Sequence, residues 1–148
     1  MTYRTAEQKL KHLIRANPAS MVLQKVVDCL YEDIEKYTWV GIYLVRGETL
    51  VLAAWRGTQA TEHTTIPLGK GVCGAAVCTG TTELVNDVSK DKRYLSCFLS
   101  TRSEIVVPIK KTRVVLGEID IDSDSPNAFD AGDVLFLEKV ADMLSGHI

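Results

Sequence analysis

The chain has 148 residues, a formal net charge of −2, and 46% apolar and 24% charged residues. A chain of this length usually folds as one domain that buries about two-thirds of its unfolded surface, so we expect a single domain over residues 1–148 whose core needs neither disulfide nor metal. The apolar content argues against intrinsic disorder, and the interspersed charges argue against nucleic-acid binding. The sequence shows neither an apolar run long enough to span a membrane nor a secretion signal. We therefore expect a cytoplasmic protein.

Helical periodicity is confined to the two ends of the chain. Apolar residues spaced three and four apart predict a first helix over residues 6–15 and a second from near Ser20 to about Ile34. The same spacing predicts a last helix over residues 131–144, with Asp130 as its cap.

Short β-branched and aromatic runs fill the middle of the chain. They predict strands over residues 39–45, 49–55, 83–85, 103–109 and 114–121, with a short extended piece ending at Pro67 and a small-residue helix over residues 73–78. Residues 86–102 form a polar loop, long for a compact domain and typical of functional or mobile segments. No alternating βαβ pattern is present, so we expect an α+β fold with a central antiparallel sheet flanked by N- and C-terminal helices.

The four cysteines form no closely spaced pair, and the three histidines are scattered, so we expect thiols and no metal site. Cys29 and Cys78 are interpreted as packing residues. Cys97 lies in the loop of residues 86–102 among lysines and arginines, and Cys73 lies at a predicted helix start; both surroundings favour a reactive thiolate.

Carboxylates alternate along the strand predicted over residues 114–121 and just beyond it. Glu118, Asp120 and Asp122 share one face, and Glu104 lies alone among apolar residues on the neighbouring strand. The face is either solvated, or it lines a pocket that holds a cationic group or a protonated carboxyl. If the two strands form a hairpin in the right register, Glu104 and the aspartates converge.

Two aromatic residues leave a similar choice open. Trp39 and Tyr43 are four apart on one predicted strand and therefore share a face. They are either core aromatics or the wall of a small-ligand pocket.

Four segments, in this order and spacing, resemble the free methionine-(R)-sulfoxide reductases, a family built on the GAF domain. They are WVGIYL (39–44), IPLGKGVCG (66–74), SEIVVP (103–108) and DIDS (120–123). The resemblance covers about residues 38–123. It implies a GAF-like fold and a cofactor-free enzyme that reduces free L-methionine-(R)-sulfoxide to methionine.

The resemblance also assigns roles to the two candidate cysteines. It implies that the Cys97 thiolate attacks the sulfoxide sulfur and becomes a sulfenic acid, which Cys73 resolves as a disulfide. The alternative, should Cys73 lie too far away, is direct reduction of the sulfenic acid by an external thiol. Thioredoxin or a similar dithiol would then restore the thiols. Such a reaction suits an enzyme of the oxidative-stress response, and GAF domains of this kind allow a homodimer.

The binding residues follow from the same resemblance. Glu104, Asp120 and Asp122 match carboxylates that engage the substrate's amino group and support protonation of the departing oxygen. Trp39 and Tyr43 match an aromatic wall around the methionine side chain.

The chain departs from the family pattern at three places. His63 stands where many members have a further cysteine, RYLS (93–96) replaces the usual GHIA before the nucleophile, and the segment of residues 57–65 is slightly longer. We therefore expect a two-cysteine variant. A non-catalytic ligand-binding or redox-sensing GAF module is the alternative, although the length of the chain, with no output domain, favours the enzyme.

Overall fold

The fold is α+β, as predicted. The computed structural model describes residues 2–94, 98 and 100–148. In chain order the elements are α1 (Tyr3–Ala16), α2 (Ala19–Asp33), β1 (Trp39–Arg46), β2 (Thr49–Gly57), β3 (Thr65–Pro67), α3 (Gly71–Thr79), β4 (Glu83–Val85), β5 (Ser103–Lys111), β6 (Val114–Ser123) and α4 (Ala131–Ser145).

The strands form one sheet of six in the order β3-β2-β1-β6-β5-β4. Every neighbouring pair is antiparallel, which confirms the predicted sheet type. Strands β1, β6 and β5 lie at its centre. No helix within the described residues is both long and apolar enough to cross a bilayer.

Two segments differ from the sequence-based prediction. Helix α1 begins at Tyr3 rather than at residue 6, because Thr2 caps it by accepting a hydrogen bond from the Thr5 amide at 3.2 Å. The Tyr3 ring stacks on Phe136 of α4 at a centroid distance of 4.8 Å, which holds this extra turn in place. The predicted loop of residues 86–102 contains a short 3₁₀ helix, Val88–Lys90, whose first side chain is buried.

The two faces of the sheet are covered differently. Helices α1, α2 and α4 pack on one face, where the alternate residues Ile119 and Ile121 of β6 are fully buried. A second apolar cluster lies on the opposite face and includes Trp39, Tyr43 and Val72 of α3. The odd and even residues of the central strands therefore serve two separate cores.

A buried carboxylate joins the two ends of the chain. Asp133, which is fully buried in α4, accepts hydrogen bonds from the hydroxyls of Tyr3 and Tyr37, from the Lys36 ammonium and from the Asp130 amide. Burial alone would raise its pKa, but hydrogen bonds from Lys36 and the tyrosines hold the pKa of Asp133 below its ordinary value. The network fixes the segment that leads into β1.

Candidate active site

The carboxylates of β5 and β6 converge on the sheet face that carries α3. Glu104 lies opposite Asp122 in the β5–β6 register, and Val106 lies opposite Asp120, so the predicted convergence is confirmed. The side chains are buried, with exposed fractions of 6% for Glu104, 5% for Asp120 and 3% for Asp122. The alternative of a solvated face is therefore wrong.

Glu118 extends this row of carboxylates. It lies two residues before Asp120 on the same face and has an exposed fraction of 0%. The resemblance did not assign it a role, although the alternation of β6 had already placed it beside Asp120 and Asp122. It is the site residue that the sequence-based assignment missed.

Cys73 approaches the carboxylates from above the sheet. It occupies the first turn of α3, and its thiol donates a hydrogen bond to Asp120 Oδ2 at 3.3 Å. Burial raises the pKa of the Cys73 thiol well above its ordinary value, and the negative charges of Asp120, Glu118 and Glu104 raise it further. The expectation that the helix start would favour a Cys73 thiolate is therefore wrong, because desolvation and like charges outweigh the helix dipole.

The buried carboxyl groups hold protons more tightly than exposed ones do. Burial raises the pKa of Glu118 well above its ordinary value, and the charge of Asp120 adds to the effect. Burial likewise raises the pKa of Asp122 and, opposed in part by Glu104 and Cys73, that of Asp120. No lysine or arginine among the described residues lies close enough to shift the pKa of Glu118 or Asp120. Protons or a bound cation must therefore compensate this concentration of negative charge.

Several buried polar atoms here have no hydrogen-bond partner within the part of the chain that the structure describes. They are both carboxyl oxygens of Glu118, Oδ1 of Asp120, Oδ1 of Asp122 and Nε1 of Trp39. Leaving such an atom unpaired costs about 1–3 kcal/mol. Their accumulation on one sheet face indicates a site prepared for a polar or charged ligand.

Trp39 forms an aromatic wall beside the carboxylates. Its indole lies on the sheet where β1 and β2 carry Gly41 and Gly57, and a Cβ at either glycine would come within 2.5 Å of the ring. The indole stacks on Trp55 at a centroid distance of 6.4 Å and meets Phe98 at 5.9 Å. Only glycine leaves room for a ring in this position.

Tyr43 occupies the other end of the wall. It is buried on the same sheet face, opposite Glu118 in the register of β1 and β6, and its hydroxyl donates a hydrogen bond to the His63 carbonyl at 2.6 Å. Both aromatic residues therefore lie beside the carboxylates, which favours the pocket-wall interpretation over a purely apolar core.

Two cavities border these residues. A small one of about 10 Å³ lies among Tyr43, His63, Cys73, Glu104 and Asp120. A larger one of about 390 Å³ is lined by residues that include Trp39, Phe98 and Thr101. Thr101 also donates a hydrogen bond to Asp122 at 3.4 Å, so the acidic row extends to the larger cavity.

Six of the seven predicted site residues lie together. Cys73, Glu104, Asp120, Asp122, Trp39 and Tyr43 share one face of the sheet. Cys97 lies outside the described residues.

The two cysteines interpreted as packing residues differ in their surroundings. Cys29 is buried, as predicted, whereas Cys78 is exposed, so its assignment to the core is wrong. Helix α3 buries the side that carries Cys73, and the side that carries Cys78 faces solvent.

Comparison with known proteins identifies the family. The GAF domain profile matches residues 8–148. The free methionine-R-sulfoxide reductase of Saccharomyces cerevisiae is 40% identical over 131 residues, which cover 86% of this chain and 70% of the yeast protein.

Solved structures agree with this similarity. The type II free methionine-R-sulfoxide reductase of Thermoplasma acidophilum superposes with a TM-score of 0.84 at 38% identity, covering 93% of this chain and 94% of that one. The free methionine-R-sulfoxide reductase of Neisseria meningitidis, solved in complex with its substrate, gives a TM-score of 0.92 at 34% identity, covering 98% of this chain and 87% of that one. The chain therefore belongs to the GAF domain family, within which it resembles the free methionine-R-sulfoxide reductases.

Proposed function

We propose that this chain is a cytoplasmic enzyme that reduces free methionine-R-sulfoxide to methionine. The observation that carries the proposal is the Cys73 thiol, hydrogen-bonded to Asp120 within a buried row of carboxylates and beside an aromatic wall. Relatives with this named activity support it at 40% and 38% sequence identity.

The carboxylates suit both ends of such a substrate. A free amino acid carries an ammonium group, which Glu104, Asp120 and Asp122 can bind as carboxylates. Among the described residues, no lysine or arginine shifts the pKa of Asp120. Sulfoxide oxygen leaves as part of a protonated group, so the reaction needs an acid. Burial raises the pKa of Glu118, which makes this carboxyl group the candidate for the required acid.

The first chemical step belongs to Cys97. Its thiolate attacks the sulfoxide sulfur while a carboxyl group protonates the sulfoxide oxygen. The oxygen is transferred to the cysteine sulfur as a sulfenic acid, and methionine leaves with its sulfur reduced by two electrons.

The second step belongs to Cys73. Its thiol attacks the sulfenic acid, the S–O bond breaks, and a disulfide and one water are formed. A dithiol reductant such as thioredoxin then reduces the disulfide and is itself oxidised. Because the Cys73 pKa is raised, we expect a carboxylate, Asp120 in the first place, to accept its proton as the new bond forms.

Substrate binding beside Cys73 requires the small cavity there to widen, because it measures about 10 Å³ and is smaller than an amino acid. The cavity of about 390 Å³ beside Trp39 is of the size that holds a small molecule. We propose that the methionine side chain lies along Trp39 and that its ammonium group reaches the carboxylates.

A homodimer extends the proposal. The helices α2 and α4, on which Met21 and Leu135 are exposed at 47% and 63%, are the surface proposed for this association. Sedimentation of the purified protein measures the assembly directly.

The decisive experiment is turnover of each free methionine sulfoxide epimer with dithiothreitol, with released methionine as the readout. We expect turnover of the R epimer, loss of turnover in Cys97→Ser, and unchanged turnover in the matched control Cys78→Ser. Absence of R-epimer turnover would reject the enzyme and leave the ligand-binding GAF module. Turnover that persists in Cys97→Ser would reject that residue as the nucleophile.

A further inference from the structure

The geometry points to a divalent metal site formed by Cys73, Glu104 and Asp120 in the reduced protein, and we infer that its ion is Zn²⁺. One potential ligand atom from each residue lies within 4.8 Å of the other two, and all three side chains are buried. The residues come from α3, β5 and β6, far apart in sequence. The sequence-based expectation of no metal site rested on closely spaced ligand pairs, which this arrangement does not use.

Glu118 supplies an independent observation that a ligand belongs here. Its side chain is 0% exposed, and neither carboxyl oxygen has a hydrogen-bond partner among the described residues. It faces Cys73 closely enough to interact with the thiol. Asp120 Oδ1, an oxygen of one of the three proposed ligand residues, is also without a partner in the described part of the chain. These oxygens are left with unused acceptor capacity, as expected beside a site that takes a cation.

The donor set selects the type of ion. A thiolate with carboxylates favours Zn²⁺ and its spectroscopic substitute Co²⁺, whereas Mg²⁺ and Ca²⁺ prefer an all-oxygen shell. The charge of the site also suits a dication, which would balance two buried anions. Within the described part of the chain, no lysine or arginine shifts the pKa of Glu118 or Asp120.

The distances allow a compact site. Tetrahedral Zn²⁺, with ligand bonds of about 2.0–2.3 Å, separates its ligand atoms by roughly 3.5 Å. The Cys73 Sγ to Asp120 Oδ2 distance is already 3.3 Å. The other two pairs of ligand atoms lie within 4.8 Å, so each needs to shorten by about 1.3 Å at most to reach this separation. The small cavity of about 10 Å³ beside these residues has room for a bare ion but not for an amino acid.

Binding there would have a direct chemical consequence. The ion would replace the thiol proton of Cys73 and hold its sulfur as a ligand, so Cys73 could not form a disulfide. It would also occupy carboxylates proposed for the substrate ammonium. The inference does not depend on reductase activity, because the ligand set exists whatever reaction the chain performs.

The test uses Co²⁺ and Zn²⁺ with the full-length protein, kept reduced by a phosphine because dithiothreitol itself binds zinc. We expect one equivalent of Co²⁺ to produce a thiolate-to-cobalt charge-transfer band in the near ultraviolet, and Zn²⁺ to displace it with proton release. Absence of the band in the wild-type protein would overturn the inference.

Variants identify the ligands. Cys73→Ser should abolish the band, and Asp120→Asn should weaken Zn²⁺ binding by at least about tenfold. Asp120→Asn removes one of several like charges, so it keeps the test valid should Cys73→Ser not fold. Cys78→Ser and Cys97→Ser should keep the band. Retention of the band in Cys73→Ser, or its loss in either of the other cysteine variants, would overturn the ligand assignment.

The metal-free turnover assay separates this inference from the proposed function. If the protein binds Co²⁺ through Cys73 but does not turn over the sulfoxide, the metal site is supported and the reductase function is rejected. If it turns over the R epimer but shows no band, the reductase function is supported and the metal site is rejected.

Discussion

The indole ring of Trp39 covers Gly41, where a Cβ would lie 2.4 Å from the ring. The two residues are neighbours on one face of β1, so the missing side chain of one creates the space that the other fills. A pocket wall thus depends on a residue that makes no polar contact with a ligand.

Gly41→Ala should therefore displace the indole and impair substrate binding. We expect KM for free methionine-R-sulfoxide to rise about tenfold or more, with a smaller effect on kcat, because the wall binds the substrate and takes no part in bond exchange. Gly146→Ala is the matched control, since a Cβ there meets nothing within 4 Å. Equal KM values in the two variants would exclude a role for the Trp39 wall in binding.

Glu118→Gln should alter how stability depends on pH. The folded-state pKa of Glu118 is raised, so its contribution to stability is fully present at low pH and is lost as pH rises through that raised value. We expect the free energy of unfolding of the wild-type protein to fall between pH 5 and pH 8, and the glutamine variant to be at least about 1 kcal/mol more stable than wild type at pH 8. Urea unfolding at both pH values measures this.

The exposed Glu62 provides the control for that experiment. Glu62→Gln should leave the pH dependence unchanged. The same slope in wild type and Glu118→Gln would show that Glu118 ionises without cost in the folded protein.

Asp133→Ala should destabilise the fold without touching the pocket. The substitution removes the shared acceptor of Tyr3, Tyr37 and Lys36 and leaves their donors buried or half-buried. We expect a loss of about 3–5 kcal/mol, as for breaking a buried ion pair, in the free energy of unfolding. Asp142→Ala, at an exposed position of the same helix, should change it by less than about 0.5 kcal/mol. A similar loss in both variants would contradict the role of the network.

Cys73→Ser should separate the two routes of recycling. We expect thioredoxin-supported turnover to fall by about tenfold or more, while dithiothreitol-supported turnover falls much less, because a small thiol can reduce a sulfenic acid directly. The wild-type disulfide step should also accelerate as pH rises, since the raised pKa of Cys73 limits its thiolate. Equal losses with both reductants would remove Cys73 from the resolving role.

The alternation of β6 explains how much of the site was predictable. Carboxylates at Glu118, Asp120 and Asp122 with isoleucines between them indicate two faces of different chemistry, and the structure has both. Burial of the acidic face could not be predicted, because the cover comes from α3. That helix has only nine residues, rich in small side chains, and no amphipathic pattern to show which side packs.

Cys78 was misassigned for the same reason. Its rotation away from Cys73 was correctly predicted from helical geometry. To bury the side of α3 that carries Cys78, another element would have to pack on the outside of this helix. None of the described elements does so, and Cys78 is exposed. Near Cys97 in sequence, the guanidinium group of Arg93 pairs with Asp91 and Glu83. Cys97 itself lies outside the described residues, so its predicted basic surroundings stay a prediction.

The two-faced pattern of β6 also bears on how the protein avoids misfolding. Slipping this strand by one residue against β1 or β5 would turn Ile119 and Ile121 into the acidic pocket and drive three carboxylates under α1, α2 and α4. Such a chain would lose apolar burial on one side and trap charge without water on the other. The residues that line the pocket thus also specify the register of the central strands, because a sheet with β6 out of register would be strongly destabilised.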